Sequence, residues 1–511
     1  MAQLSHGYQV VLIPTELTTG QLALTMVVRR TYRVGLASPV LEALADANQP
    51  EPLAADRYDD GDATTVPAVL ETDLVPEKAR VDVIVLGKAH APGGKPTAQF
   101  DCAVQIGRKR ETLRILGPRR AIWQPPRKLN GKMRPQPPRF TAPEPIREVP
   151  LSLTLAYGGW SWLVPDEETL RIQKAGVQGM AEDAALAEFP RLPCPTNPFG
   201  VGFCVSNHPQ VLARLVLPQI EDPRMPLTPQ DLIRDGQGLD TVPLPAGFAV
   251  LPRHARPRIN LAGPLPSDLA DWQEKLDAQM QKADLGTPEG VQMLRAMEAR
   301  EKPQAMRPGF YNCALPAMQM SDLRGDEEVL LENLTPSGRL GFKLPARVLT
   351  AEVDRGRGVE QRDLRLDTLV IDTEKAEVSL VWRAQFALAS WEELATYPHL
   401  VGTVVDGDLE DQRKREEANA AQRARGEGTH ILQQKSRPPE METRAEHDAA
   451  DLPKLAAHAQ AADGGRAAHT MEAALESVTR REQAQAESAR RAEISAVVAA
   501  GKLVPAKGAK T

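Results

Sequence analysis

Aromatic side chains are scarce in this chain, with 9 Phe, 6 Tyr and 6 Trp among 511 residues, and none follows Tyr397. A segment without them has little apolar surface to offset the entropy of ordering. Residues 401–511, dominated by Ala, Glu, Arg and Gln, therefore read as helical in pieces or disordered rather than as a packed domain. Within them, "HTMEAALESVTRREQAQAESARRAEISAVVAAGK" carries a short stripe of Met471, Leu475 and Val478 that lapses at Glu482 and Gln485, too brief for a coiled coil. It reads either as a partner-binding helix or as a solvated tail. Cysteine is equally sparse. Cys102, Cys194, Cys204 and Cys313 form no CxxC pair, which excludes a disulfide framework and suits reduced thiols. A zinc site from Cys194, Cys204 and His208 would lack a fourth ligand and regular spacing, so no metal is expected, and no cofactor either.

Charge of one sign is also missing. With 62 Lys and Arg against 68 Asp and Glu, the net charge is -6. That balance gives no basic field to draw nucleic acid or an anionic membrane, and neither is expected as a partner. No apolar run reaches the roughly 18 residues of a membrane-spanning helix. The opening "MAQLSHGYQVVLIP" has neither a basic n-region nor the apolar core of a secretory leader, so the expected location is cytoplasmic.

What is present points to β structure. Most of the 44 prolines scatter over the first 350 positions, where each removes a backbone donor and discourages helix interiors. Between them lie apolar or alternating stretches: "YQVVLIP", "QLALTMVVRRTYRV", "RVDVIVLGKAH", "AQFDCAVQIG", "ETLRILG" and "PLSLTLAYGG". Further on, "LRLDTLVIDTEKAEVSLVWRAQFAL" reads as a pair of strands joined by the turn "DTEKAE". The expected class is mainly β (α+β): an antiparallel body with long Pro-rich loops, a few helices and the tail. A helix is predicted over 265–286, where Leu269, Trp272, Leu276 and Met280 share one face. The expected divisions are residues 1–117, a Pro-rich basic loop or linker at 118–148, a second part of the body at 149–400, and 401–511. The loop 118–148 reads either as a basic contact arm or as an extended, charge-solvated linker.

The stretch "TNPFGVGF" at 196–203 poses the main chemical question. A dinucleotide-binding loop needs a third glycine, yet Gly200 and Gly202 are followed by Phe203, Cys204 and Val205; a phosphate loop needs a GK pair, and none is here. "HAPGGKP" fails as well, with Ala89 and Pro96 at the positions that matter. The segment instead reads as a turn in which Pro198 fixes φ, Gly200 and Gly202 allow unusual backbone, and Phe199 and Phe203 anchor it. No nucleophile elbow, HExxH or deaminase pattern occurs. His90, His208 and His254 stand alone in sequence, and Asp326 lies in a polar turn; an enzyme, for instance a hydrolase, would need such distant residues to converge.

In order along the chain, "DVIVLGKAHAPGGKP", "PLSLTLAYGG", "NPFGVGF", "LPQIEDPRMPL", "PAGFAVLPRHARPRINLAG", "PGFYNCALPAMQM", "LRGDEEVLLENLTPSGRLGFKLP" and "LDTLVIDTEKAEVSLVWRA" form a series. It resembles the bacterial domain-of-unknown-function family 2169, found with type VI secretion systems. Departures occur at Trp160 and Ser161 after "YGG", and at Ala249 after "PAGF". The resemblance implies a cytoplasmic, non-enzymatic adaptor or chaperone that binds a cognate toxic effector, one with a PAAR or PAAR-like tip, and helps load it onto the VgrG spike. A structural component of the secretion machine is the alternative. The residues proposed to meet a partner are Tyr157, Gly158, Gly159, Trp160 and Trp162, with Asn197, Pro198, Phe199, Gly200, Gly202 and Phe203. Alternation equally allows some of the three aromatics of "AYGGWSW" to point into the core.

Overall fold

The computed structural model describes residues 7–35, 40–164, 189–232, 242–263, 306–355, 358–395 and 401–408, except 135 and 207, together with Leu186 and Lys414. The predicted helix at 265–286 and the stripe around Met471 lie outside the described residues.

The body is built on a 9-stranded sheet and a 5-stranded sheet. Along the larger one run the strands Gln9–Glu16, Leu22–Val34, Glu377–Ala387, Val359–Asp372, Arg347–Asp354 and Val401–Asp408, each antiparallel to its neighbour. Leu22–Val34 and Glu377–Ala387 are buried on both faces over most of their length, which explains why they read as runs rather than as alternation. The turn "DTEKAE" joins the predicted pair as expected: the Lys375 amide donates to Asp372 Oδ1 at 3.0 Å, and Ala376 takes a φ of 54°.

The strand Val359–Asp372 serves two partners along one edge. Its first half pairs with Arg347–Asp354 and its second half with Val81–Leu86. The register shifts between Leu366 and Thr368, leaving Asp367 in the bulge, and its buried carboxylate receives Arg383 Nε at 2.6 Å. At the far rim of this sheet, Tyr8 Oη donates to Asp406 Oδ2 at 2.9 Å, joining the beginning and end of the described body.

The smaller sheet runs Ile220–Glu221, Lys109–Leu116, Gln99–Ile106, Glu328–Glu332 and Arg339–Lys343. Its apolar face, with Phe100, Cys102, Val104 and Ile106, joins Val83, Val85, Leu369 and Leu380 of the larger sheet in one continuous core. Residues from both predicted body parts therefore share one interior.

Within that core sits a polar knot. Asp82 accepts from Lys78 Nζ at 2.8 Å, Asn312 Nδ2 at 3.1 Å, and the amides of Cys313 and Ala314 at 3.0 and 3.1 Å. Lys78 Nζ also donates to Thr368 Oγ1 at 2.8 Å. Burial pushes the Lys78 pKa down, but the Asp82 carboxylate beside it more than reverses this, and the ammonium stays charged.

The structure departs from the sequence reading in four places. "PLSLTLAYGG" is not one strand: Ser152 Oγ accepts from the Thr154 amide at 3.2 Å and turns Leu153–Leu155 into a single 3-10 turn, leaving strand only at Pro150 and at Tyr157–Gly158. The basic segment is more than a linker. An Asn130-Gly131 turn joins Arg127–Leu129 to Lys132–Arg134, and Ala121 is buried in a second cluster against which Trp123 and Phe140 pack. Residues 401–408, the start of the stretch read as tail, form the strand on Arg347–Asp354. Finally, Val81–Leu86 pairs in parallel with Val359–Asp372, and Tyr157–Gly158 with Val201–Gly202, because the antiparallel expectation rests on short turns and these partners are far apart in sequence. Among the described residues no helix is long and apolar enough to cross a membrane.

Candidate functional site

The two glycine-bearing loops meet. Tyr157–Gly158 pairs with Val201–Gly202, the Gly159 amide donates to Asn197 O at 2.8 Å, and the Phe203 amide donates to Gly158 O at 2.8 Å. Asn197 is the clasp. It is wholly buried, its Nδ2 donates to Leu153 O and Tyr157 O at 2.9 and 3.1 Å, and its Oδ1 accepts from the Phe199 amide at 3.3 Å. This Asx turn explains why an asparagine opens the "NPFGVGF" loop.

Glycine is required where the loops touch. Gly159 has a φ of 93°, and a Cβ there would lie 2.3 Å from Gly200 O. Because that oxygen belongs to the backbone, no side chain can swing aside. Gly159→Ala is expected to lower stability by at least about 2 kcal/mol. A thermal melt within a degree of the wild type would show that the loops have other ways to pair.

After Gly159 the chain forms a narrow ribbon, Trp160–Trp162 against Arg191–Pro193. Alternation puts Trp160, Trp162 and Arg191 on one face. The Arg191 guanidinium lies 5.8 Å from the Trp160 ring centroid and 5.1 Å from that of Trp162. Ser161 points the other way, is buried, and accepts from the Val205 amide at 3.0 Å.

Loops and ribbon form one wall of a cleft of about 580 Å³, completed by residues 63–68, the helix end Arg214–Val216, and Pro252–His254. Its exposure is uneven. Trp160 is 45% exposed, whereas Tyr157 and Phe203 are 6% and 1% exposed and pack with Cys194 and Val242. Trp162 and Phe199 are half-buried; Gly158, Gly159, Asn197, Pro198, Gly200 and Gly202 are buried. The sequence grouped all these residues as contact candidates. The structure divides them, with Trp160, Trp162 and Phe199 offering side-chain surface and the rest holding the wall in place.

An ionic ladder lies beside the cleft. Glu71 receives Arg258 Nη2 at 2.9 Å and Arg253 Nε at 3.2 Å, and Arg253 Nη2 reaches Asp56 Oδ1 at 3.0 Å. Arg258 is itself 3% exposed and also donates to Leu251 O and Phe310 O. Burial pushes the Glu71 carboxyl up, but Arg253 and Arg258 outweigh it and hold it at about 2. Burial raises Asp56, and the Arg253 guanidinium offsets this only in part. His254 packs edge-on against Phe199, 5.5 Å between centroids, and burial helped by Arg258 lowers it to about 4. Its imidazole is therefore neutral through the physiological range.

Of the histidines considered from sequence, His254 alone lines the cleft. His90 faces Glu148 at 3.7 Å, and His208 Nδ1 accepts from the Gln210 amide, capping a short helix. Among the described residues no group of His, Cys, Asp and Glu is arranged to hold a metal. Nor does the loop present the row of open amides that a phosphate takes: those of Phe199, Val201 and Phe203 are committed to Asn197 Oδ1, Ala156 O and Gly158 O. Sequence reasoning missed Arg191, Glu71, Arg253 and the stretch 63–68. Only the "WSW" alternation hinted that a partner strand would carry something across from the tryptophans.

Residues 19–383 match a family described as "Uncharacterized protein conserved in bacteria (DUF2169)". The chain belongs to this family. No curated protein and no solved structure matches it. The DUF2169 region contains every residue of the cleft and the polar knot, while the strand Val401–Asp408 lies beyond it.

Proposed function

We propose that this DUF2169 protein is a cytoplasmic adaptor of a type VI secretion system. It binds a cognate effector with a PAAR or PAAR-like tip and helps deliver it to the VgrG spike, without catalysing a reaction. The observation that carries the reading is the cleft itself. Two loops of the series that resembles the family are clasped together, and the chain that leaves them presents Trp160 and Trp162 on one wall, which is how a binding hot spot is made. The ionisable groups beside it are committed to one another, as suits a scaffold rather than acid–base work.

Co-purification of the tagged full chain with the effector encoded beside it tests the proposal. The wild type is expected to retain the effector, and Trp160→Ala to weaken the complex at least about tenfold, since a central tryptophan contributes about 2 kcal/mol or more. The variant's melting temperature should barely move, because nearly half of Trp160 is already exposed. An effector that never associates with the wild type overturns the adaptor role. An equally tight complex with Trp160→Ala removes the cleft from it.

A further inference from the structure

We infer that the cleft takes an extended segment of the partner with an internal aspartate or glutamate set between apolar residues, its carboxylate seated on Arg191. The inference rests on the cleft being a partner site, as proposed above, and adds what that partner must carry.

The charges around the cleft decide the sign. Its acidic lining groups, Asp56 and Glu71, are already matched by Arg253 and the buried Arg258. Asp59 and Asp60, in the preceding turn, do not line it. Asp62 is taken up by its own loop, accepting from the Thr64 amide at 2.9 Å and Thr64 Oγ1 at 2.6 Å. Arg191 is exposed, and among the described residues its guanidinium meets the rings of Trp160 and Trp162. Arg214, the other arginine of the lining, donates from Nη1 to Gln210 O at 3.1 Å. Among the described residues the lining therefore carries an uncompensated positive charge at Arg191, where the apolar surface is most open.

Stacking prepares that charge for a carboxylate. A guanidinium held over ring faces spends no hydrogen-bonding capacity on them, and its N–H fork stays available in its own plane for two parallel bonds. The rings limit its rotamers before the partner arrives, so less entropy is lost on pairing. Apolar side chains on the partner then have Trp160, Phe199, Val201 and Val216 to cover.

The carboxylate belongs to a side chain rather than to a chain end. Capture of a terminal carboxylate uses a nest of free backbone amides. On this wall the amides of Phe199, Val201 and Phe203 are spent on Asn197, Ala156 and Gly158.

Panning a display library of random peptides on the full chain tests this, with Arg191→Glu and Arg191→Gln as parallel targets and Trp160→Ala as the counter-target. The wild type is expected to enrich sequences with Asp or Glu flanked by apolar residues, and Trp160→Ala to lose them. Arg191→Glu should exchange the acid for Lys or Arg. A synthetic peptide of the leading sequence should bind about tenfold more weakly when its acid becomes the amide, or when Arg191 becomes glutamine, the worth of one charge-assisted pair. Enrichment without an acid, equal binding to Arg191→Glu, dependence on a free C-terminus, or no enrichment at all overturns the inference. If the effector still co-purifies and still depends on Trp160, the adaptor reading stands while this one falls.

Discussion

Asp82→Ala is expected to lower the stability of the body by about 3–5 kcal/mol, the penalty for stranding a buried charge. Asp82 is 0% exposed and gathers the Lys78 ammonium, the Asn312 amide and two backbone N–H groups around one carboxylate. Without it the Cys313 and Ala314 amides lose their acceptor, Asn312 Nδ2 keeps Arg80 O, and Lys78 keeps only Thr368 Oγ1. Urea unfolding followed by circular dichroism measures the loss. Adding Lys78→Met to Asp82→Ala removes the orphaned charge and should recover at least about 1 kcal/mol, a coupling that a double-mutant cycle isolates. A loss below about 1 kcal/mol in the single variant would mean that water reaches the knot and that it does not organise the core.

The second large effect belongs to Glu71, which joins Arg253 and Arg258 beside the cleft. Glu71→Gln should lower stability at neutral pH by about 3 kcal/mol or more, since Arg258 cannot reach solvent. The pH dependence distinguishes this from a packing defect. The Glu71 carboxyl falls from an ordinary 4.5 in the unfolded chain to about 2 in the folded one. Its contribution, about 3 kcal/mol, is therefore complete above pH 4.5 and fades as the pH drops toward 2. The wild-type and Glu71→Gln curves should converge across that window. Asp56, shifted the opposite way by burial, acts on both proteins and cancels to first order in the difference. Parallel curves from pH 5 to pH 2 would show that the arginines do not hold Glu71 ionised.

Much of the fold could be read in advance because its strongest elements obey local rules. Leu22–Val34 and Glu377–Ala387 carry apolar runs, and the turn 372–377 carries its Asp and a short polar link. Misreadings came where one distant side chain decides the matter. Tyr157 seems as good a contact residue as Trp160 until Asn197 draws the loop inward and the ribbon reverses which side faces solvent. Nothing local marks Asp367 for burial, which comes with the bulge where Val359–Asp372 passes from one neighbour to the next. The cleft's ionic side was invisible for the same reason, since Glu71, Arg253 and Asp56 become neighbours only after the sheets are packed.

The pairing of Leu22–Val34 with Glu377–Ala387 also constrains how the protein comes into being. Thr31 and Ser379, hydrogen-bonded side by side, are 348 residues apart. At roughly 5–20 residues per second, the early strand waits on the order of 20–70 s after its own synthesis before its neighbour leaves the ribosome. For that time its apolar run is an open edge for other chains, with the Gln9–Glu16 and Leu41–Ala43 strands at hand to cover the other side. The newly made chain therefore stays open to association with other chains for that interval, until Glu377–Ala387 closes the edge.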